Sequence, residues 1–421
     1  MTAQACRDRI RREVESATDE MLEFASEFLR IPTINPPGDA YPAAAAFLDT
    51  RLSALGFESE VLVAETAAEH TASHPRHNIM ARREIGPGPC LHFNGHTDVV
   101  PAGEGWTRDP WAGEIDDGRI WGRGAADMKC GLVAAIYAAE ALRRAGAPLR
   151  GSIEISGTAD EESGGFAGVA WLAHEGLISR ARTDWVIIPE PFGPQRICVG
   201  HRGVLWLKII AYGHIAHGSM PFLGVNAIDA MAPVIEGLRD LEPRLAQRQT
   251  AVPVVPPEAR RATLNLNAVY GGQGDLDPQT PCVADRCELV VDRRFLVEED
   301  LDEVRAEICD IVAACSRQGV RFETETMMVV PPVQTPADSP LVSALEPAVR
   351  AVVGSPAERV ASPGTYDHKH VARIAGVDHC VAYGPGRLEL AHQPDEYCEI
   401  ADLVAAAQIM ALAAAELLEA P

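Results

Sequence analysis

The chain has no basic cluster to set against its acidity. Its 37 lysines and arginines face 60 aspartates and glutamates, a formal charge of −23. Such a field repels phosphate backbones, so nucleic acid is not an expected partner. Long apolar runs are lacking too. The stretch MTAQACRDRIRREVESATDEMLEFASEFLRIPT alternates charged and apolar residues at helical spacing, unlike a signal peptide. Residues 401–418, the most apolar region, are broken by Asp402, Gln408 and Glu416. That pattern predicts an amphipathic surface helix, too polar to span a membrane. There is no CxxC pair either, and the ten scattered cysteines suit reduced, buried thiols. A cytoplasmic protein is the expectation, and no internal repeat or low-complexity segment is visible.

What is present is the composition of a soluble globular protein, 47% hydrophobic and 23% charged over 421 residues. That length predicts two domains. Residues 5–30 and 41–55 have helical patterns, separated by the proline-rich IPTINPPGD. HNIMARRE, PCLHFNGHTDVVPAG, GSIEISGTADEESGG and WVIIPEP then alternate with helical segments such as MKCGLVAAIYAAEALRRAG. This alternation predicts an α/β domain with a mainly parallel, helix-flanked sheet, and its polar residues fall at the C-terminal ends of strands. From residue 203 the order becomes β-α-β-β-α-β, that of a ferredoxin-like α+β unit. Residues 203–332 are therefore expected to form a domain inserted between residues 1–202 and 333–421.

Several short motifs carry chemistry. His96 and Asp98 lie in NGHTDVVPAG directly after a strand, where a histidine and a carboxylate can act as ligand and orienting partner, or simply stabilise a turn. Asp127 in GRGAADMKCG begins a helix, a position that also suits a plain N-cap; Lys129 beside it is expected at the surface. Glu161 and Glu162 in TADEESGG follow a strand, so one can bind a cation while the other stays free as a base; a solvated acidic loop is the alternative. Glu190 stands between prolines in IIPEP, and His392 follows a glycine-rich turn in GPGRLELAHQPDEY. Two imidazoles, three metal-type carboxylates and a spare glutamate are what a carboxylate-bridged two-zinc hydrolase requires.

Taken together, IPTINPPGD, GHTDVVPAG, GRGAADMKCG, TADEESGG, PEP, AHGSMPFLGVNAI, VYGGQG and AHQPDEY resemble the dizinc amidohydrolases that include acetylornithine deacetylase, succinyl-diaminopimelate desuccinylase, aminoacylase-1 and carboxypeptidase G. The resemblance implies that His96 and Glu190 bind one zinc and Glu162 and His392 the other, with Asp127 bridging. It makes Asp98 the orienter of His96 and Glu161 the general base, and it implies a cis Asp127–Met128 peptide. Cobalt or manganese could replace zinc. The inserted domain would be a lid through which the chain forms a homodimer, and His217 would stabilise the oxyanion in a neighbouring subunit's site. Arg294 would grip a substrate carboxylate, with Asn265 and Gly386 also lining the cleft.

The chain departs from the family pattern in two places. PCVAD replaces the usual Asn-x-Val-Pro before the last lid strand, putting Pro281 and Ala284 at the matching places. GTYDHKH replaces Gly-Thr-Ser-Asp-Gly-Arg, so Lys369 stands where arginine is common. Lys369 is read as a substrate-binding point charge on the cleft wall, and His368 and His370 as a surface cluster in preference to a third metal site. The expected substrate is a small N-acyl amino acid or related N-acyl amine. Dipeptidase, carboxypeptidase or carbamate hydrolase activity is the alternative, and a non-catalytic binding module a remote one.

Overall fold

A computed structural model describes residues 2–273, 281–316 and 319–420. Gly274 of VYGGQG and residue 317, at the end of the second lid helix as read from sequence, lie outside the described residues. The chain divides into two compact units. One comprises Met1–Gly200, Thr335–Val360 and Tyr366–Pro421; the other comprises His201–Gln334 and Ala361–Thr365.

In the larger unit a mixed sheet runs in the order Glu58–Val63, His77–Glu84, Ser152–Thr158, Cys90–His96, Trp185–Ile188, Cys380–Ala382 and Arg196–His201. Its centre is parallel: Cys90–His96 pairs in parallel with Ser152–Thr158 and Trp185–Ile188, and Trp185–Ile188 with Cys380–Ala382. The outer pairings are antiparallel. Central strands covered on both faces are buried throughout, as Cys90–His96 is at all seven positions. Three of these strands end beside His96, the Asp160–Glu162 turn and Glu190, which puts the polar residues at the carboxyl edge of the sheet.

The helix Lys129–Ala145 is alanine-rich and ends on Gly146 at φ 59°, a left-handed cap. It packs against Cys90–His96 and against the helix Ile400–Leu417. That last helix corrects the reading of residues 401–418 as an amphipathic surface element. It is long and apolar enough by composition to cross a membrane, yet it is a core helix, with Leu403 and Ala406 through Ala414 buried. The breaks are absorbed locally: Gln408 donates to Arg11 O and Glu15 Oε1. The predicted helix over residues 5–30 is two helices, Ala3–Ser16 and Thr18–Leu29, separated at Ala17.

The smaller unit is an antiparallel sheet ordered Thr263–Gly272, Arg286–Phe295, Gly203–Tyr212, Arg321–Val330. In chain order this is 2-3-1-4, the ferredoxin-like arrangement. Alternate residues of Arg286–Phe295 are buried, and Leu289 and Val291 pack with Val234, Leu238 and Leu241 of the helix Ala227–Leu245. Asn226 and Asp300 cap the two helices of this unit by accepting from Ile228 and Asp229, and from Asp302 and Glu303.

Candidate metal centre

His96 closes its strand with a ring 1% exposed. Its Nδ1 faces the Asp98 backbone carbonyl at 3.0 Å and the Asp98 carboxylate at 3.6 Å. Both are acceptors, so Nδ1 donates and Nε2 is the nitrogen left for a cation. Nε2 lies 3.1 Å from Asp127 Oδ1 and 3.9 Å from Glu190 Oε1. On the other side, His392 at φ 64° sets Nε2 3.1 Å from Glu162 Oε2 and 3.6 Å from Asp127 Oδ2. Asp127 therefore turns one oxygen toward each histidine. The donor atoms of His96–Asp127–Glu190, and those of Asp127–Glu162–His392, each lie within 4.8 Å of one another.

The electrostatics suit divalent cations. Among the described residues Glu190 Oε1 is buried without a hydrogen-bond partner, a costly state for a carboxylate unless a cation stands beside it. Burial, with the nearby Asp127 charge, raises the Glu190 pKa well above the ordinary range. Burial opposes charge on Asp127 as well, but hydrogen bonds from His392 and His96 hold its carboxyl below the ordinary range. Hydrogen bonds to Asp127 and Glu162 raise His392 to about 10. Carboxylates and imidazoles so crowded compensate one another only with protons or with a metal.

Glu161 belongs to neither triad. Burial pushes its pKa up to about 8, opposed by the nearby Lys369 and His96 charges. Asp98 holds its segment: Oδ1 accepts from the Glu161 N–H and Oδ2 from the Glu162 N–H, each at 3.1 Å. Asn35 of IPTINPPGD donates to Asp98 Oδ2 at 2.9 Å. The acidic triplet is thus no solvated loop. Asp160 is left-handed at φ 62°, with its carboxylate held by Tyr41 Oη at 2.8 Å and Arg76 Nε at 2.7 Å.

The Asp127 loop is fixed from the far end of the chain. Glu396 Oε1 accepts from the N–H groups of Gly124, Ala126 and Asp127, while its other oxygen pairs with Arg123. Glu396 escapes motif reasoning, although it sits in AHQPDEY, because only contact with the distant loop reveals its task. The Asp127–Met128 peptide is cis. Gly386 packs so closely that a Cβ there would lie 2.3 Å from Ala126 O, a backbone-packing reason for glycine beside the bridging residue.

Two placements correct the sequence reading. Lys129 is fully buried, and its ammonium donates to Phe28 O and Ile31 O at the end of the helix Thr18–Leu29. His368 and His370 are buried, and burial lowers their pKa values to about 3 and 4. Lys369 is 5% exposed, with Nζ 3.8 Å from Glu161 Oε1.

His217, Asn265 and Arg294 belong to the smaller unit. The Ser219 N–H donates to His217 Nδ1 at 3.1 Å, so the neutral ring carries its hydrogen on Nε2. Asn265 is exposed and donates to Asn267. Arg294 pairs with Asp292 of its own strand at 2.9 Å.

Fold and donor set define a metal-dependent amidohydrolase. Residues 92–416 match the model of peptidase family M20/M25/M40, and the chain belongs to that family. Succinyl-diaminopimelate desuccinylase of Methylobacterium radiotolerans is 31% identical over 92% of this chain and 94% of that one. The enzyme of the same name from Thioalkalivibrio sulfidiphilus is 29% identical over 93% and 96%. Among solved structures, a dipeptidase of Saccharomyces cerevisiae superposes with a TM-score of 0.76 at 17% identity, covering 99% of each chain.

Proposed function

We propose that the protein hydrolyses the amide bond of an N-acyl amino acid, a deacylation of the desuccinylase and deacetylase kind, with two zinc ions bound per chain. The observation that carries this reading is Asp127, whose two oxygens face two separate histidine–glutamate pairs. The relatives named desuccinylases, similar over nearly the whole chain, support the acyl–amine substrate class. Zinc is favoured because mixed histidine and carboxylate sets commonly hold it.

His96 and Glu190 would hold one cation, Glu162 and His392 the other, and Asp127 both. When bound, the pair supplies Lewis acidity that brings a water's pKa toward neutrality and polarises the scissile carbonyl. Glu161, outside both triads, takes the proton from the attacking water and returns it to the departing nitrogen, without which the amine is a poor leaving group. Asp98 keeps His96 in one tautomer and pins the amides of Glu161 and Glu162. His217, with hydrogen on Nε2, is in the tautomer required of an oxyanion donor. We assign it to a partner subunit's site in a homodimer formed through the smaller unit; the exposed Met220, Phe222 and Leu223 near it in sequence support an interface there. Arg294 would exchange Asp292 for a substrate carboxylate, beside Asn265. A cytoplasmic location accords with this small-molecule chemistry.

The test is amine release by zinc-loaded protein from a panel of N-acyl amino acids, each paired with its α-carboxamide analogue. Cleavage of the free acids alone supports deacylation with a carboxylate contact. Equal cleavage of both members refutes the carboxylate contact, and cleavage of neither refutes the substrate class.

A further inference from the structure

The segment that departs from the family pattern, Tyr366–His370, lies against the loop bearing Glu161. Lys369 Nζ stands 3.8 Å from Glu161 Oε1, in a side chain only 6% exposed. His370 Nε2 faces Gly164 O at 2.7 Å. A carbonyl only accepts, so the ring donates there. Gly164 N–H in turn donates to Glu161 O at 2.8 Å. Asp367 Oδ1 lies where a Cβ on Gly165 would approach within 2.5 Å. The two segments therefore touch at adjoining positions.

A buried hydrogen-bond chain sets where Asp367 stands. Two neighbouring strands present polar residues on one face, with His92 beside Glu154 and Asn94 beside Ser156 in parallel register. Asn94 Nδ2 donates to Asp367 Oδ2 at 3.0 Å, which leaves Asn94 Oδ1 to accept from Ser156 Oγ at 2.7 Å. The serine's one hydrogen is thereby engaged, so His92 Nε2 donates to Ser156 Oγ at 2.7 Å. His92 Nδ1 meets Glu154 Oε2 at 3.3 Å, and Arg82 and Arg182 each reach Glu154 Oε1 at 2.6 Å. From His92 to Asp367 every link has a defined direction. From Glu154 to Asn94 the chain is hydrogen-bonded link by link, which rigidifies what it touches, and it ends on Asp367, whose Oδ1 is buried without a hydrogen-bond partner among the described residues. The Asp367 carbonyl then starts the short helix His368–Arg373 by accepting from the His370 N–H at 3.0 Å and the Val371 N–H at 3.2 Å.

We infer that Lys369 is a positioning residue for Glu161, and that the chain Glu154–His92–Ser156–Asn94–Asp367 fixes the helix start from which Lys369 reaches it. This replaces the cleft-wall role that sequence suggests for Lys369, and it rests on Glu161 being the base. A misplacement of a reacting group by about 1 Å can cost on the order of 10²-fold in rate, so the effect falls on turnover more than on binding.

The experiment compares Lys369→Met, Lys369→Arg, Asn94→Ala and Glu161→Gln with the wild type, all zinc-loaded. It reads kcat, KM, metal per chain and melting temperature, using the best substrate of the panel above. Lys369→Met is expected to lower kcat at least tenfold, with KM within twofold and two cations retained; Lys369→Arg should recover to within about threefold of wild type. Asn94→Ala is expected to lower kcat at least threefold with the same metal content. Wild-type kcat in Lys369→Met overturns the inference, as does a tenfold rise in KM with kcat intact, which would make Lys369 a substrate contact. Wild-type kcat in Asn94→Ala overturns the relay, and serves if Lys369→Met does not fold. Glu161→Gln separates the two readings: an active Glu161→Gln defeats the base assignment itself, whereas an inactive one beside a normal Lys369→Met defeats only the role of Lys369.

Discussion

The backbone N–H of Asp127 donates to the buried carboxylate of Glu396, 3.1 Å away and 269 residues further along the chain. Three amides of one loop, from Gly124, Ala126 and Asp127, converge on one oxygen, and Arg123 neutralises the other. Glu396→Gln would put an amide where carboxylate oxygens now receive both. It should weaken metal affinity about tenfold or more, as loss of a supporting partner around a metal site typically does. It should also lower stability by about 3 kcal/mol or more, because Arg123 is left buried without its ion partner. Metal titration and denaturant unfolding measure the two effects; an unchanged metal affinity would refute the supporting role.

Metal stoichiometry distinguishes a bridging residue from a terminal one. Asp127→Ala removes an oxygen from both triads and should leave fewer than one tightly held cation per chain. His392→Ala removes a donor from one triad only and should retain one. Elemental analysis after exhaustive dialysis decides this, and equal loss in the two variants would argue against bridging.

His217→Ala should lower kcat by about 10²-fold, the usual scale for an oxyanion donor. Its melting temperature should hold, since the side chain is exposed and, among the described residues, bonds within its own turn. Unchanged kinetics would remove His217 from the reaction. Mixing His217→Ala with Glu161→Gln should restore activity if the donor acts in trans, because mixed dimers then contain one intact site.

Glu154 ties acid stability to the buried relay. Burial opposes its charge, but hydrogen bonds from His92, Arg182 and Arg82 bring its pKa down to about 2, from an ordinary 4.5. A carboxyl depressed in the folded state contributes stability that is fully present above pH 4.5 and lost as pH falls from there toward 2. The displacement corresponds to about 3 kcal/mol. Glu154→Gln should therefore be less stable by roughly that amount at pH 7 and show a shallower loss between pH 4.5 and 2. Parallel denaturation profiles for the two proteins across that window would show that Glu154 is not the group involved.

Much of the site was legible because its residues lie in short motifs at strand ends. His96, Asp127, Glu162, Glu190 and His392 each belong to a local pattern, and the fold gathers their donor atoms into two groups that share Asp127. What escaped were partners whose meaning depends on distant chain. Lys129 looks like any first-turn lysine until the end of another helix supplies two carbonyls to it. Residues 401–418 look half polar because Gln408 gives no sign that Arg11 and Glu15 will satisfy it. Asn35 and Glu396 sit in recognisable motifs, yet their hydrogen-bond partners lie tens to hundreds of residues away.

The amino-acid order alone determined the alternation of strands and helices, the change of pattern at residue 203 and the chemical types at the metal centre. These are properties of periodicity and of side chains next to turns, which local sequence encodes. Tertiary structure decided which charges are buried together. Lys369, His370 and Asp367 acquire their roles only where the segment from Tyr366 meets the loop from Glu161, two hundred residues earlier. Desolvation and hydrogen-bond direction depend on what surrounds a group in space, and neighbours in the chain do not specify that.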